Sequence, residues 1–206
     1  MKLYGSPNSP FVRKVRVFMH EKRIPHRFID DDVWSPESIV PGKNPLSKVP
    51  VLELDDGDVL FDSPLVMAWL DSHFGAPIVP TEHDAYWRCM RWHTLANGIL
   101  DATVARTVET MRRPADKRWP AAIEREEGRI RRALALAEKT PKDGAFLVGG
   151  FLTPADIALG VALQYIDFRY PHDWRSGHPG LTRWHAGIVR RESFTATLPP
   201  GFTPVA

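Results

Sequence analysis

Two serine-containing turns each stand directly before a proline and an apolar, periodic segment. In "GSPNSPFVRKVRV" the serine is Ser9, followed by Pro10, and in "LFDSPLVMAWL" Asp62 and Ser63 precede Pro64. Serine or aspartate before a proline is typical of a helix N-terminus, whose unpaired amide groups favour a bound anion. The sequence therefore predicts two helix ends at which a hydroxyl group could meet an anion. The alternative for both is a purely structural cap.

The composition excludes several classes of protein. The 206 residues carry a net charge of +2 and no long basic block, so we expect no nucleic-acid partner. No apolar run approaches the ~20 residues that span a bilayer, and there is no signal-peptide pattern, so we expect a cytoplasmic protein without a membrane partner. The single cysteine, Cys89, excludes an internal disulfide, and the histidines include no HExxH pattern, so we expect no metal site.

Hydrophobic periodicity in the first 75 residues predicts a small α/β domain. The order is β-α-β and then β-β-α, which gives one parallel strand pair and one antiparallel hairpin. The first helix follows Pro10 and ends by Pro25, and the second is capped by Asp62 or Ser63. Residues 31–48 are expected to be irregular, with one helical turn. The predicted strands lie near residues 2–4, 26–30, 49–54 and 59–61.

After the helix-breaking "GAPIVPT" the sequence predicts helices only. The first covers residues 83–112 and the second residues 119–139, a third begins at Thr153, and a fourth covers residues 180–190. We expect a loop over residues 139–151 and an extended tail over residues 196–206. In "FLTPADIALG", Thr153 and Asp156 fit a capping box, with Asp156 in place of the usual glutamate, so we expect a structural role for both.

Four segments, in this order, resemble the cytosolic glutathione transferase family: "SPNSPFVRKVRV", "NPLSKVPVLEL", "LFDSPLVMAWL" and "FLTPADIALG". The resemblance covers the whole chain. It implies an α/β N-terminal thioredoxin-like domain over residues 1–75, which binds glutathione. It also implies an all-α C-terminal domain over residues 82–206, which contributes the electrophile pocket. Ser-Pro-Phe at the head of the first helix is similar to the serine-type branches of plants and bacteria, whereas the omega branch has Cys-Pro-Phe.

The resemblance implies that Ser9 is catalytic and stabilises the thiolate of glutathione. Lowering a thiol pKa from about 8.5 to roughly 6.5 requires about 2.7 kcal/mol. A hydrogen bond to a charged group contributes about 1.5–3 kcal/mol and a helix end about 0.3–1 kcal/mol. A hydroxyl at a helix end is therefore sufficient. Tyr4, Ser6 and Asn8 remain alternatives, because they lie on or next to the same turn.

The resemblance further assigns five residues to glutathione binding: Lys48, Val49, Pro50, Asp62 and Ser63. A cis peptide at Pro50 would let the backbone of Val49 pair with the cysteinyl unit of glutathione. Lys48 would pair with a glutathione carboxylate, and Ser63 would hold the γ-glutamyl carboxylate. Asp62 is one methylene shorter than the glutamate or glutamine that the family usually has there.

The second substrate is expected to be an apolar, electrophilic small molecule in a pocket between the domains. Its candidate residues are Phe11, Trp34, Arg106, Thr107 and Thr110. The favoured function is therefore glutathione transfer, with glutathione as co-substrate and a homodimeric assembly implied by the resemblance. The alternatives are a glutathione-dependent reductase, isomerase or dehalogenase on the same site, and a non-catalytic glutathione-binding protein.

Overall fold

The computed structural model describes residues 1–139, 146–170 and 172–205, which divide into two compact units. The first unit contains Met1–Val79 together with Arg191–Phe202, and the second contains Pro80–Arg190. The all-α domain expected from the resemblance covers residues 82–206 and thus includes residues 191–202, whereas the structure groups Arg191–Phe202 with the first unit. Their position in the first unit depends on contacts between residues that are far apart in the chain.

The first unit is built on a four-stranded mixed sheet. Its strands are β1 (Lys2–Tyr4), β2 (Arg27–Ile29), β3 (Val51–Glu53) and β4 (Val59–Leu60), in the spatial order β2-β1-β3-β4. β1 is parallel to β2, and β3 is antiparallel to β4, as the sequence predicts. The structure adds the antiparallel pairing of β1 with β3. β1, β2 and β4 therefore end at the same edge of the sheet at which β3 begins. We call this the upper edge.

Two long helices accompany the sheet, α1 (Pro10–Glu21) and α2 (Ser63–His73). The structure selects Asp62, and not Ser63, as the N-cap of α2. α1 ends before Pro25 in a Schellman motif, in which the amide of Ile24 donates to the carbonyl of Met19 (2.8 Å) and the amide of Arg23 to that of His20 (3.0 Å). The expected helical turn within residues 31–48 lies at Val40–Gly42.

In the described part of the second unit, all of the regular secondary structure is helical. Its helices are α3 (His83–Thr107), α4 (Pro120–Ala137), α5 (Pro154–Arg169) and α6 (Pro179–Ile188). The predicted single helix over residues 83–112 is wrong in one respect, because a π-helical turn over Val108–Arg112 replaces its last five residues. None of the helices of the described residues is long and apolar enough to cross a membrane.

Before the tail predicted over residues 196–206, the structure has a short helix that the sequence does not predict, α7 (Glu192–Thr195). Glu21 on α1 anchors this segment: Arg191 Nε and Nη2 donate to its two carboxylate oxygens (2.7 and 2.8 Å), and Ser193 Oγ donates at 2.5 Å. Arg13 adds a hydrogen bond from its guanidinium to the carbonyl of Phe194 (3.0 Å). These long-range bonds explain why residues 191–202 belong to the first unit.

The predicted capping box of α5 is confirmed. Asp156 accepts from the amide and the hydroxyl of Thr153 (2.8 and 2.6 Å), and its other oxygen accepts from the amide of Leu147 (2.7 Å). The side chains of Thr153 and Asp156 are both fully buried. Asp156 therefore fixes the loop before α5 as well as the helix end. Residues 140–145 of the loop that the sequence predicts lie outside the described residues.

We predict that Asp156→Ala lowers the free energy of unfolding by about 3 kcal/mol, because the substitution removes a cap and leaves buried donors unpaired. Urea denaturation of the purified variant measures this. Asp116→Ala provides a matched control, because the exposed Asp116 forms a single 3.6 Å ion pair within the described residues, with Lys117. A midpoint for Asp156→Ala equal to that of the control contradicts the structural role.

Candidate functional site

The strand directions bring three separate chain segments to the upper edge of the sheet. The turn that leads to Ser9 follows β1, the Val49–Pro50 segment precedes β3, and Asp62 and Ser63 follow β4. Tyr4 pairs with Val51 and Leu52 with Leu60, so all three segments leave the sheet at this edge. Two helix N-termini and one strand end therefore surround one surface of the first unit.

Ser9 is the N-cap of α1, and its half-buried hydroxyl is the first candidate for chemistry. Its Oγ accepts a hydrogen bond from the amide of Val12 at 3.4 Å, which fixes the oxygen at the helix end. Within the described ranges, the hydroxyl hydrogen has no protein acceptor. The hydroxyl can therefore donate to an anion without giving up its role as a cap.

The alternatives to Ser9, Tyr4 and Ser6, differ in whether their hydroxyl group already donates a hydrogen bond to the protein. The Tyr4 hydroxyl donates to Glu53 at 3.1 Å, on a buried ring. Lys2 (2.6 Å) and Lys43 also donate to this carboxylate, and together with Tyr4 they lower the pKa of Glu53 to about 2. Tyr4 is therefore held by a carboxylate that stays charged. Ser6, which accepts from the amide of Asn8 at 3.3 Å, is not excluded in this way.

The Val49–Pro50 peptide is cis, as the resemblance implies. Val49 lies just outside β3, and in the described part of the chain its backbone amide and carbonyl form no hydrogen bond. Gly5, at the end of β1, lies against this segment: a Cβ added to Gly5 would be 3.1 Å from Val49 Cβ and 2.4 Å from Val12 Cγ2. Only glycine lets α1 and the Val49 segment approach β1 so closely.

The loop before Val49 is organised by Asn44, which is almost fully buried. Its side-chain amide donates to the carbonyl of Lys48 (2.8 Å), and its Oδ1 accepts from the amide of Leu46 (3.0 Å). Ser47 adopts a left-handed conformation with φ of +51°. The exposed ammonium of Lys48 has no partner among the described residues, so it remains available to a carboxylate.

At the N-terminus of α2, Asp62 is exposed and Ser63 is fully buried. Both the amide and the hydroxyl of Ser63 donate to the same carboxylate oxygen of Asp62, the hydroxyl at 3.2 Å. The two donors that could hold a ligand carboxylate are thus turned toward a carboxylate of the protein itself. A ligand would have to replace Asp62 as their acceptor.

The two second-substrate candidates of the first unit differ in burial. Phe11 is half-buried near the start of α1, with the ammonium of Lys14 5.8 Å from its ring centroid. Trp34 is 57% exposed in the loop after β2, and this loop also leaves the sheet at the upper edge. Phe11 and Trp34 therefore both belong to segments that follow strands ending at the upper edge, as Ser9 and Ser63 do.

The three candidates of the second unit already form hydrogen bonds with residues of that unit. Arg106 Nε donates to Glu127 at 2.7 Å, and its guanidinium lies 3.8 Å from the ring centroid of Tyr170. The hydroxyl of Thr107 donates to the carbonyl of Thr103 (2.7 Å), and that of Thr110 to the carbonyl of Arg106 (2.9 Å). The hydroxyl groups of Thr107 and Thr110 can therefore accept a further hydrogen bond, but they can donate one only after rearrangement.

Sequence reasoning missed three residues that shape this surface: Gly5, Asn44 and Glu53. All three lie in segments that the sequence analysis singled out, but only the fold shows what they contact. Glu53 is 49 residues from Tyr4, and their pairing depends on the register of β1 and β3. Across the described residues, no group of three or more His, Cys, Asp or Glu side chains could hold a metal ion.

Comparison with known proteins matches both parts of the chain to family models. Residues 8–73 match the model described as glutathione S-transferase, N-terminal domain, and residues 120–187 match glutathione S-transferase, C-terminal domain. An uncharacterised GST-like protein of Escherichia coli strain K12, YibF, is 34% identical over 202 residues, which cover 97% of this chain and 99% of that protein.

Two solved structures are similar over nearly their full length. A glutathione S-transferase from Methylobacillus flagellatus, with glutathione bound, is 38% identical, with a TM-score of 0.91 and coverage of 96% of this chain and 98% of that one. A glutathione transferase family member from Pseudomonas fluorescens Pf-5, with bound S-(propanoic acid)-glutathione, is 36% identical, with a TM-score of 0.85 and coverage of 97% and 99%.

We predict that Gly5→Ala lowers the free energy of unfolding by about 2–3 kcal/mol, because the new methyl group overlaps Val12 and crowds Val49. Gly57→Ala is the control, since Gly57 has a positive φ (+91°) but open space around it. If both variants lose the same stability, backbone conformation and not the close contact explains the glycine.

Proposed function

Because the chain belongs to the glutathione S-transferase family, we propose that it is a serine-type enzyme that ionises glutathione at Ser9 and adds the sulfur to an electrophilic small molecule. The observation that carries this proposal is the Ser9 hydroxyl, which sits at the amino end of α1 with its hydrogen not donated within the described residues. The relative from Methylobacillus flagellatus was solved with glutathione bound, which supports glutathione as the thiol.

In the proposed mechanism Ser9 acts as a donor and not as a base. The thiol of glutathione loses its proton to solvent, and the thiolate accepts a hydrogen bond from Ser9 Oγ while Val12 N–H continues to bind that oxygen. The donor contributes about 1.5–3 kcal/mol and the helix end about 0.3–1 kcal/mol, which together match the roughly 2.7 kcal/mol that a two-unit fall in pKa requires.

The rest of glutathione would be held by backbone and carboxylate-binding groups at the upper edge. The amide and carbonyl of Val49 suit the extended cysteinyl unit, because neither has a partner within the described residues. Ser63 and the amino end of α2 suit the γ-glutamyl carboxylate. Lys48 suits a further carboxylate. In this arrangement Asp62 gives up Ser63 and turns toward the ammonium group of glutathione.

The second step is the attack of the thiolate on an electrophilic carbon, with formation of a carbon–sulfur bond. In an addition, the electron pair of the accepting double bond takes up a proton from solvent; in a substitution, the leaving group departs with its electron pair. The Pseudomonas fluorescens relative was solved with S-(propanoic acid)-glutathione, a thioether of the kind that such a step forms. Phe11, Trp34, Arg106, Thr107 and Thr110 remain our candidates for the electrophile pocket.

We predict that Ser9→Ala raises the pKa of bound glutathione by about 1–2 units and lowers kcat/KM for conjugation roughly 10- to 100-fold, because the thiolate loses a charged hydrogen bond. Ultraviolet titration of the thiolate in the binary complex gives the pKa, and conjugation of 1-chloro-2,4-dinitrobenzene gives the rate. Ser9→Thr, which preserves the hydroxyl, should recover part of both.

Tyr4→Phe and Ser6→Ala are the matched controls, since each removes one other hydroxyl near the same turn. Both should leave the thiol pKa within a few tenths of a unit of the wild-type value. If Ser6→Ala gives the large shift and Ser9→Ala does not, the donor is misassigned. Retention on immobilised glutathione without turnover of several electrophiles would contradict the enzymatic function itself.

We predict that Ser63→Ala separates binding from activation. The variant loses a donor to the γ-glutamyl carboxylate, so the KM for glutathione should rise about tenfold, whereas the pKa of the bound thiol should not change. Initial rates at varied glutathione, together with the thiolate titration, distinguish the two effects. Ser72→Ala, which removes an exposed hydroxyl near the end of α2, is the control. An unchanged KM for glutathione would remove Ser63 from the site.

A further inference from the structure

The C-terminal parts of α3 and α5 surround the hydroxyl group of Tyr165 in the second unit. The ring of Tyr165 is almost fully buried and lies edge-to-face with Phe168, with 6.5 Å between the ring centroids. Burial raises the pKa of Tyr165, and the side chains of Arg169, Thr107 and Arg112 partly offset this rise. Two guanidinium groups from separate elements therefore lie near one hydroxyl. We call Thr107, Arg112, Tyr165, Phe168 and Arg169 the arginine cluster.

The π-helical turn over Val108–Arg112 explains how Arg112 reaches this cluster. In a continuous α-helix, Arg112 would point about 140° away from Thr107, because each residue rotates by about 100°. In the π turn, the amide of Arg113 donates to the carbonyl of Val108 (3.2 Å), five positions back, so a residue lies above the fifth one before it. Arg112 is therefore on the same side of the helix as Thr107. Such turns are rare and occur frequently at functional sites.

Arg169, the last residue of α5, forms no ion pair with any carboxylate of the described residues. Its guanidinium carbon lies 3.9 Å from the ring centroid of Phe168, and its buried Nε has no hydrogen-bond acceptor among those residues. The neighbouring Asp167 instead accepts from Arg175 (2.6 and 2.8 Å) and Trp174 (2.8 Å). The dipole of α5 favours a cation in its last turn, but it supplies no acceptor. A bound carboxylate would supply one, since a guanidinium matches its geometry.

The surroundings of Arg169 add accessible apolar surface and no free acidic group. Glu109, in the π turn, accepts from Nε of Arg113 (2.8 Å) and from the amide of Trp119 (2.7 Å). Met111 of the same turn is 60% exposed. The region thus combines an uncompensated positive charge with an open apolar side chain. This combination suits a ligand that has a negatively charged end and an apolar body.

We propose that the arginine cluster binds a carboxylate on the electrophile, so that the second substrate is an anionic but otherwise apolar molecule. The inference rests on the proposed transferase function and specifies its substrate class. Arg169 binds the carboxylate and Arg112 adds a second positive charge, whereas Met111 and Phe168 contact the apolar part. Thr107, already a candidate for the electrophile pocket, belongs to the same cluster. Arg169 therefore determines specificity and takes no part in bond formation.

The kinetic test compares 4-chloro-3,5-dinitrobenzoate with 4-chloro-3,5-dinitrobenzamide, which has the same reacting carbon but no charge. With either substrate the thiolate forms a carbon–sulfur bond, and chloride leaves with the electron pair of the carbon–chlorine bond. Each kcat/KM is divided by the rate constant of the uncatalysed reaction with glutathione, which removes differences in intrinsic reactivity. We expect this ratio to be at least about tenfold higher for the benzoate, because it gains a charged hydrogen bond. Equal ratios for the two substrates overturn the proposal.

Isothermal titration with the two conjugates tests the site without turnover. The S-(4-carboxy-2,6-dinitrophenyl) conjugate of glutathione should bind at least about tenfold more tightly than its carboxamide analogue. Equal affinities overturn the proposal, and the transferase function stands if both electrophiles are nevertheless conjugated. Tighter binding of the carboxylate conjugate without turnover of either electrophile supports the carboxylate site and contradicts the transferase function instead.

Variants of Arg169 locate the site. Arg169→Met removes the charge but keeps an unbranched side chain against Phe168, so the preference for the benzoate over the benzamide should fall about tenfold. Arg169→Lys keeps the charge and should retain part of this preference, which excludes misfolding as the cause. Arg125→Met, on the exposed face of α4, is the matched control and should retain the wild-type preference. A wild-type preference in the folded Arg169→Met protein, or an equal loss of kcat/KM with both substrates, overturns the proposal.

Discussion

The close approach of Gly5 to Val12 and Val49 is the constraint on which the candidate site depends. β1 is only three residues long, so the chain must turn within Gly5–Ser9 to begin α1 at the same edge at which β3 begins. Any side chain at Gly5 would separate these segments. The missing Cβ therefore sets the spacing between the hydroxyl at the start of α1 and the open backbone of Val49.

Helix caps and anion-binding sites use the same groups. Here they differ in whether each donor and acceptor already has a hydrogen-bond partner in the protein. At α5, the buried carboxylate of Asp156 accepts from Thr153 and Leu147, so every group has a protein partner. At α1, Ser9 accepts one bond and, within the described residues, donates none. The same residue types thus give a closed structural cap at one helix and an open donor at another, where a ligand can complete the set.

The sequence predicts features that depend on near neighbours and misses those that depend on distant ones. The directions of the β1–β2 and β3–β4 pairs follow from the helix and turn signals between those strands, and the α5 cap from residues three positions apart. The anchoring of α7 by Glu21 joins residues 170 or more positions apart, and the pairing of Tyr4 with Glu53 needs the sheet register. The sequence could therefore name Ser9, Tyr4 and Ser6 as alternatives, but only the fold shows that the Tyr4 hydroxyl is occupied.

Two residues other than glycine have a positive φ among the described residues, Arg23 and Ser47, and both belong to the first unit. Each costs about 1 kcal/mol or more relative to glycine. Ser47 lies next to Lys48 in the loop before the proposed glutathione site, and Arg23 lies at the end of α1. The left-handed conformation of Arg23 has a structural explanation, because a Schellman motif requires it at the end of α1. Ser47 has no such motif to account for it, and strain beside a proposed binding site is expected where ligand binding, and not stability, determines the backbone conformation.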